Sequence, residues 1–328
     1  MIALTSATGK LGSAVLGAIL EHNLVDAKEL VVCVSPPPRL LPHADQPPQT
    51  STDPTNERFN ALREMNITVR YQNFDEPDSL ERAYSGCSKL FLVSTPRIAM
   101  DYNDAPLWKG REGHHRAAID AAVKAGVKHI YYTSLAFGNP SKAGVMRAHI
   151  RTEKYLNELA EQGKIEYTIL REGLYNESWP LYFGYYWGLR EDGRREVLVA
   201  GDGPISWTAI VDMAFATAKI VAAPSEEWKG KTLYLSQSKT ATLDDVARIV
   251  SRLKAEDVGL KIVSRKEFED FYVEKMGMER ASVEWWSSSY DAVKDGECKI
   301  EDSTLEDILS KAGKTPKSFD TTVEEMMG

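Results

Sequence analysis

The chain opens with residues 1–12, MIALTSATGKLG. The apolar start predicts a β-strand over Met1–Thr5, and Leu11–Leu20 predicts a helix because its apolar residues recur on one helical face. Between them, Gly9 and Gly12 allow a tight turn and a close backbone approach, and the N-terminus of a helix attracts the charge of a pyrophosphate. The segment therefore indicates a dinucleotide-binding strand–turn–helix unit more strongly than an ordinary strand-to-helix turn.

The first half of the chain repeats this alternation of strand and helix. Further short, continuously apolar runs occur at Leu30–Val34, Ile67–Tyr71, Leu90–Val93, His129–Tyr132 and Tyr167–Leu170. Helical patterns separate most of them, at Ser79–Ser85, Glu112–Ala125 and Val145–Gln162. Strands that are buried on both faces are continuously apolar. The pattern therefore predicts an α/β fold with a doubly wound parallel sheet of the Rossmann type.

The second half changes character and predicts a smaller, mostly helical substrate-binding domain. We place the NAD(P)-binding domain at residues 1–174 with a return segment near 205–240, and the smaller domain at 175–204 and 241–328. Seven aromatic residues lie within Tyr175–Trp187. Stacked aromatic rings suit a planar substrate. The same rings are also typical of a packed hydrophobic lid or an oligomer contact, and both interpretations stay open.

Composition excludes several classes of function. The chain has 328 residues, 43% of them hydrophobic, and a formal net charge of −8, so it lacks the surplus of cations that nucleic-acid binding needs. Its three cysteines are far apart, and the adjacent pair His114-His115 lacks metal-ligand spacing. No signal peptide or long apolar stretch is apparent. We therefore expect a cytoplasmic protein without a metal, a membrane span or direct contact with nucleic acid.

Several motifs resemble one family. Residues 5–12 resemble Thr-Gly-Ala-Thr-Gly-x-Leu-Gly, the cofactor signature of extended and atypical short-chain dehydrogenases, and depart from it at Ser6. The segments His149–Glu153 and Leu170–Glu177 are very similar to the quinone-oxidoreductase group of the NmrA-like family. The resemblance spans roughly residues 1–255, and Gly201–Trp207 followed by Asp212 continues it.

The resemblance implies a set of cofactor contacts. In the turn after the first strand these are Thr5, Ser6, Thr8, Gly9, Lys10 and Leu11. The family's adenine-contacting segment is matched by Asn73, Phe74 and Asp75, and the segment lining the nicotinamide ribose by Ser94 and Thr95. The remaining contacts implied are those of Thr133, His149, Gly173 and Tyr175.

The residues after the second strand predict NADPH rather than NADH. An acidic residue there usually binds the 2′-hydroxyl of NAD, but this chain has Val34-Ser35-Pro36. Arg39 is the nearest cation, and a guanidinium suits a 2′-phosphate, although Arg39 could also be a solvated loop residue. Seven of the fifteen prolines lie between Ser35 and Pro54, which indicates an irregular loop, either a tolerated insertion or a flap.

The available chemistry points to a reductase without the usual catalytic pair. Short-chain reductases commonly use Tyr-x-x-x-Lys, but the corresponding helix offers His149 and Glu153 instead. We predict that His149, Ser134 and Tyr175 line the reacting face; His149 either donates to the substrate or only contacts the cofactor. The predicted function is NADPH-dependent reduction of a quinone or another planar conjugated carbonyl compound. The alternatives are a non-catalytic NADP(H) sensor acting through a protein partner and, less favoured, an isoflavone-reductase-like enzyme; a homodimer also stays open.

Overall fold

The computed structural model describes residues 1–35 and 53–328. Arg39 and most of the proline-rich stretch lie outside the described residues. Within them the strands are β1 (Ile2–Leu4), β2 (Leu30–Val34), β3 (Thr68–Tyr71), β4 (Lys89–Leu92), β5 (His129–Leu135), β6 (Glu166–Glu172), β7 (Leu174–Tyr175), β8 (Glu196–Val199), β9 (Trp207–Thr208), β10 (Lys231–Leu235) and β11 (Gly259–Ile262).

Seven of these strands form one parallel sheet in the order β3-β2-β1-β4-β5-β6-β10. The central strand β1 pairs with β2 on one side and with β4 on the other, Ile2 lying opposite both Leu30 and Lys89. The strand order therefore reverses at β1, and in such sheets ligands bind outside the carboxyl ends of the strands at this reversal. The predicted Rossmann fold is confirmed.

The helices cover both faces of the sheet. They are α1 (Lys10–Glu21), α2 (Asn60–Glu64), α3 (Pro77–Tyr84), α4 (Arg111–Lys124), α5 (Met146–Glu161), α6 (Trp179–Tyr182), α7 (Ile210–Ala222), α8 (Ser225–Trp228), α9 (Leu243–Lys254), α10 (Arg265–Glu274), α11 (Arg280–Lys294), α12 (Thr304–Lys311) and α13 (Phe319–Met327). Alternate strand residues serve the two faces. Ile2 and Leu4 pack with α1 and α7, whereas Ala3 packs with α3 and α4. None of the helices within residues 1–35 and 53–328 is both long and apolar enough to cross a bilayer.

A second hydrophobic core belongs to the smaller domain. It is built from α6, α9, α10, α11 and α13 around two short two-stranded sheets, β8 with β11 and β7 with β9. The aromatic segment supplies five of its buried side chains, those of Trp179, Tyr182, Phe183, Tyr185 and Tyr186. Trp187 is the exception, with 59% of its surface exposed. These five rings are therefore packing residues, and they are not placed to stack on a substrate.

Two features of the C-terminal third differ from the sequence expectation. Helix α12 does not join the smaller domain, because Leu305 and Leu309 bury their side chains in the core between the sheet and α7. Strand β11 lies in a region that the sequence predicts to be mostly helical, but it pairs with β8. Three of its four residues are exposed and the fourth is half-buried, so no apolar pattern marks this strand in the sequence.

Two glycines of α1, Gly12 and Gly17, provide a stability test. A Cβ on Gly12 would overlap the carbonyl oxygen of Ser6, whereas one on the exposed Gly17 would meet nothing within 4 Å. We expect Gly12→Ala to destabilise the fold by ~1–3 kcal/mol, because backbone must shift. Gly17→Ala should stabilise it by up to ~1 kcal/mol through helix propensity. Urea unfolding of both variants checks this, and equal midpoints would contradict it.

Candidate cofactor and active site

The turn between β1 and α1 is shaped to receive an anion. Ser6 has a positive φ of 52°, and its carbonyl accepts a hydrogen bond from the Gly9 N–H at 2.8 Å. Gly12 packs against the same carbonyl with no room for a side chain. Gly9 begins α1 without any side-chain cap, and no acidic residue lies in the first helical turn. The free N–H groups and the helix dipole therefore fit a pyrophosphate, with Thr8 and Lys10 exposed beside them.

Two threonine hydroxyls join the strand ends beside this turn. Thr5 Oγ1 accepts a hydrogen bond from the Val93 N–H at 2.8 Å, and Thr133 Oγ1 accepts one from the Ser94 N–H at 2.9 Å. Each hydroxyl satisfies a backbone donor just beyond the end of β4, where the ladder stops. Leu11 is buried in the core under α1. Thr5, Thr133 and Leu11 therefore support the carboxyl edge of the sheet with their side chains.

The Asn73–Asp75 segment is fixed by neighbouring charges and rings. The Asn73 Oδ1 accepts a hydrogen bond from the Asp75 N–H at 3.1 Å, which closes a local turn. Phe74 stacks on His114 with ring centroids 5.3 Å apart. Asp75 forms an ion pair with Arg97 at 2.6 Å, and it lies 3.3 Å from the ring of His114. Arg97 thereby joins the loop after β4 to the loop after β3.

A hydrogen-bonded chain starts at the buried imidazole of His115. The Thr95 N–H can only donate, and it donates to His115 Nε2 at 3.2 Å. Nε2 is therefore unprotonated, and the proton of the neutral ring is on Nδ1. Nδ1–H lies 2.8 Å from Thr152 Oγ1, whose own hydrogen goes to the Ala148 carbonyl. Burial, reinforced by the charge that His149 and Arg111 would present, lowers the pKa of His115 well below its usual range.

The chain ends at His149. The Tyr132 hydroxyl lies 3.2 Å from the protonated Nδ1 of His115 and 2.9 Å from Nδ1 of His149. Since the first nitrogen can only donate to it, the hydroxyl donates its hydrogen to His149 Nδ1. Burial, followed by the Arg111 charge, lowers the pKa of His149 well below its usual range, and a backbone bond with Thr133 opposes this shift. His149 is therefore neutral, with its proton on Nε2.

A buried ion pair places the positive charge of Arg111 near His149. The Arg111 guanidinium is bound to Asp101 at 2.7 Å, and only 5% and 3% of the two side chains are exposed. Arg111 also donates to the Val145 carbonyl at 3.0 Å and to Ser94 Oγ at 3.4 Å. Because the charge of Arg111 acts on His149, a cationic His149 would be repelled by it.

Ser134 belongs to a different network. Its hydroxyl donates to Glu153 Oε1 at 2.6 Å, and Arg171 holds both oxygens of that carboxylate at 3.1 and 2.7 Å. Arg171 in turn donates to the Tyr234 hydroxyl at 2.6 Å. The hydrogen of Ser134 is thus already used within the protein. Glu153 shares a buried helix face with His149 but bonds to Arg171 instead.

Tyr175 lies with Glu172 on the opposite face of β6 from Arg171. The Tyr175 hydroxyl donates to Glu172 Oε2 at 2.6 Å. Glu172 Oε1 is buried and has no hydrogen-bond partner. Burial raises the pKa of Glu172 to about 8, and the Tyr175 hydrogen bond pulls it partly back. Glu172 is therefore largely protonated at neutral pH.

The structure adds four residues to the site that sequence reasoning did not find. They are Arg111, His115, Tyr132 and Glu172. Charged and histidine residues at the start of α4 look like an ordinary solvated helix face, and Tyr132 looks like any core residue of a strand. Glu172 is the only one with a local signal, since it lies within the segment that resembles the quinone-oxidoreductase group.

Known proteins resemble this chain over most of its length. The model of the NmrA-like family matches residues 1–319. The chain is 28% identical over 319 residues to an NmrA-like family domain-containing oxidoreductase from Aspergillus flavus, covering 96% of this chain and 92% of that protein. It is 30% identical over 274 residues to quinone oxidoreductase 2 from Escherichia coli, covering 82% and 79% of the two chains.

Two solved structures resemble the fold over nearly the whole chain. The NADPH complex of an NADPH-dependent quinone oxidoreductase from Escherichia coli superposes with a TM-score of 0.76 at 26% identity and covers 100% of both chains. A triphenylmethane reductase from Citrobacter sp., complexed with NADP(H), gives 0.74 at 25% identity and covers 99% of each chain.

The hydrogen-bonded chain predicts a single tautomer for His149. Replacing Tyr132 by Phe removes the donor to Nδ1, a bond worth ~1 kcal/mol, so the proton should then distribute between the two ring nitrogens. Nitrogen-15 NMR of the imidazoles distinguishes the Nε2–H form from a mixture. Tyr155→Phe, which removes a hydroxyl bound to Asp120 outside this chain, should leave His149 unchanged. Identical His149 spectra in the wild type and both variants would rule out the assignment.

The Glu153–Arg171 pair predicts a large difference between neighbouring positions on α5. Both side chains are 8% exposed, so Glu153→Ala leaves a buried cation without a partner and should cost ~3–5 kcal/mol of stability. Lys154 has 79% of its side chain exposed, and Lys154→Ala should change stability by less than ~0.5 kcal/mol. Chemical denaturation measures both, and a loss below ~1 kcal/mol for Glu153→Ala would show that Arg171 finds other partners.

Proposed function

The chain belongs to the NmrA-like family, and on that premise we propose that it is an NADPH-dependent reductase of a quinone or another planar conjugated carbonyl compound. The observation that carries the proposal is the neutral His149, whose proton is held on Nε2 at the carboxyl edge of the sheet. A neutral imidazole with its proton fixed on one nitrogen donates a hydrogen bond from that nitrogen. It carries no charge that would interact with the cofactor phosphates.

The first turn and the sheet edge support NADPH as the cofactor. The uncapped N-terminus of α1 and the space kept open by Gly12 fit a dinucleotide pyrophosphate. Beyond β2, the position where NAD-specific proteins place an acid is Ser35, which accepts a hydrogen bond from Gln72 Nε2 at 3.1 Å. Both solved relatives are bound to NADP(H). Arg39 remains our candidate for the 2′-phosphate contact.

Bound NADPH would supply a hydride for the acceptor. The chain's own residues then have to orient that acceptor and stabilise the negative charge that develops on its oxygen. His149 Nε2–H would serve this by turning from its backbone bond with Thr133 to the acceptor, because Tyr132 prevents the proton from moving to Nδ1. Arg111, which is buried and paired with Asp101, presents a positive charge to His149. Ser134 supports the edge through Glu153, and it is not assigned a proton transfer.

The residues of α5 favour an acceptor that needs little acid catalysis. The helix lacks Tyr-x-x-x-Lys, and the exposed Lys154 is not a substitute. A ketone reduced without a strong acid would leave a poorly stabilised alkoxide. A quinone that has accepted hydride delocalises the negative charge over its ring, so a hydrogen-bond donor is enough to stabilise that charge. The named substrates of the two relatives, a quinone and a triphenylmethane compound, are both extended conjugated molecules.

We expect the protein to oxidise NADPH with a panel of quinones, followed by absorbance of the reduced nicotinamide. His149→Ala should lower kcat by ~10²-fold because it removes the donor to the developing charge. His149→Gln, which retains an N–H donor, should recover part of that loss. Lys154→Ala serves as the control on the same helix and should match the wild type.

Two outcomes would overturn this proposal. NADPH binding without turnover of any quinone or conjugated carbonyl would favour the sensor, in which the cofactor state is passed to a partner protein. Turnover that is unchanged in His149→Ala would leave a reductase but remove His149 from its mechanism. Binding of NADPH measured by fluorescence separates these cases from loss of the cofactor site.

A further inference from the structure

Glu172 is a buried carboxyl group without a cation. It is the last residue of β6 and lies opposite Leu135 of β5, one residue beyond the Ser134–Arg171 register. Only 2% of its surface is exposed. Arg171 points to the other face of the strand, where Glu153 neutralises it. A carboxylate buried without a cation is strongly disfavoured, so the group holds a proton instead.

The hydrogen bond from Tyr175 fixes which oxygen carries that proton. The Tyr175 hydroxyl donates to Oε2, and the carbonyl oxygen of a neutral carboxyl group is a better acceptor than its hydroxyl oxygen, so we place the hydrogen of Glu172 on Oε1. Oε1 is the oxygen that has no partner in the protein. Buried donors are nearly always satisfied. The carboxyl edge therefore holds a buried O–H group that has no acceptor within the protein and that a ligand oxygen could satisfy.

Within residues 1–35 and 53–328, no other titratable group competes for this position. The pKa of Glu172 responds to burial and to the Tyr175 hydroxyl alone. Burial, with smaller effects from Glu172 and Glu177, raises the pKa of Tyr175 well above its usual range, so the phenol stays protonated. Glu177 is itself used by the Ile210 N–H, which donates to both of its oxygens at 3.2 Å. From β10, the Tyr234 hydroxyl is bound to Arg171.

We propose that Glu172 is the proton donor of the reduction, giving its Oε1 hydrogen to the oxygen of the reduced acceptor. The inference rests on the proposed function. The reduced nicotinamide provides two electrons and one hydrogen as hydride. The O–H bond of Glu172 breaks as an O–H bond forms on the acceptor oxygen. The resulting carboxylate keeps the Tyr175 hydrogen bond and takes a proton from water after the product leaves.

The protonated state can be tested without cofactor or substrate. The wild type should show an infrared carboxylic-acid carbonyl band that disappears with a midpoint near pH 8, and Glu172→Gln should lack it. The pH dependence of the free energy of unfolding should reveal the same proton. The folded protein holds it up to about pH 8 whereas the unfolded chain releases it near 4.5, so stability falls as pH rises between these values. Glu172→Gln should lose this part of the dependence, and Glu166→Gln, at the exposed start of the same strand, should retain it.

The catalytic role is tested by the split between kcat and binding. Glu172→Gln keeps an N–H donor of the same size but has no transferable proton, so kcat should fall by ~10²-fold while the Kd for NADPH stays constant. The decline of wild-type kcat above pH 8 should vanish in the variant. Glu166→Gln should behave as the wild type in both measurements.

The negative outcomes are distinct. Wild-type turnover with an undiminished kcat in Glu172→Gln would overturn the proton-donor role and leave the reductase in place. A Glu172→Ala variant that loses NADPH affinity, while Glu172→Gln retains both affinity and kcat, would make Glu172 a cofactor contact only. The absence of the infrared band at pH 7 would also overturn the inference. A wild type that reduces no acceptor would refute the proposed function, and this role with it.

Discussion

The close approach of α1 to the turn after β1 is the constraint on which the site depends. Gly12 lies against the Ser6 carbonyl, and that approach directs the N-terminus of α1 to the point where the strand order reverses. Ser6 adopts the left-handed conformation that usually favours glycine. The chain therefore accepts local strain in order to keep this geometry. The threonines Thr5 and Thr133 then satisfy the backbone donors beside it.

Burial has a large effect on the protonation of three groups at the carboxyl edge, His115, His149 and Glu172. His115 and His149 are held neutral, and the two buried cations, Arg111 and Arg171, each have a carboxylate partner. Glu172 is the acid at this edge that burial leaves neutral. Desolvation and charge pairing thus leave a neutral hydrogen-bond donor, His149, and a neutral acid, Glu172, at the same edge of the sheet.

The sequence predicted the architecture better than the site. Continuous apolar runs located the first six strands of the main sheet within a few residues, and for the central strands the reason is that burial on both faces leaves a clear composition signal. It did not indicate β11, whose side chains are largely exposed. At the candidate site, motif resemblance predicted His149 and Tyr175 as site residues, whereas nothing in the sequence pointed to His115, Tyr132 or Arg111. Their roles come from contacts between residues ten or more positions apart, and a linear pattern does not record which buried hydroxyl meets which ring.

The position of Glu153 explains why the proton source would lie on β6 rather than on α5. In the usual arrangement a tyrosine and a lysine one turn apart on this helix supply the acid. Here the helix has His149 and Glu153 at that spacing, and Glu153 is committed to Arg171 and Ser134. His149, neutral and deeply buried, can donate a hydrogen bond from Nε2, but it resists becoming a cation or an imidazolate. A proton that the protein gives to the product would therefore come from another group, and among the described residues at this edge we assign it to Glu172, whose Oε1 has no partner. The two functions of the usual tyrosine, polarising the acceptor and protonating it, would then be divided between the two faces of the sheet.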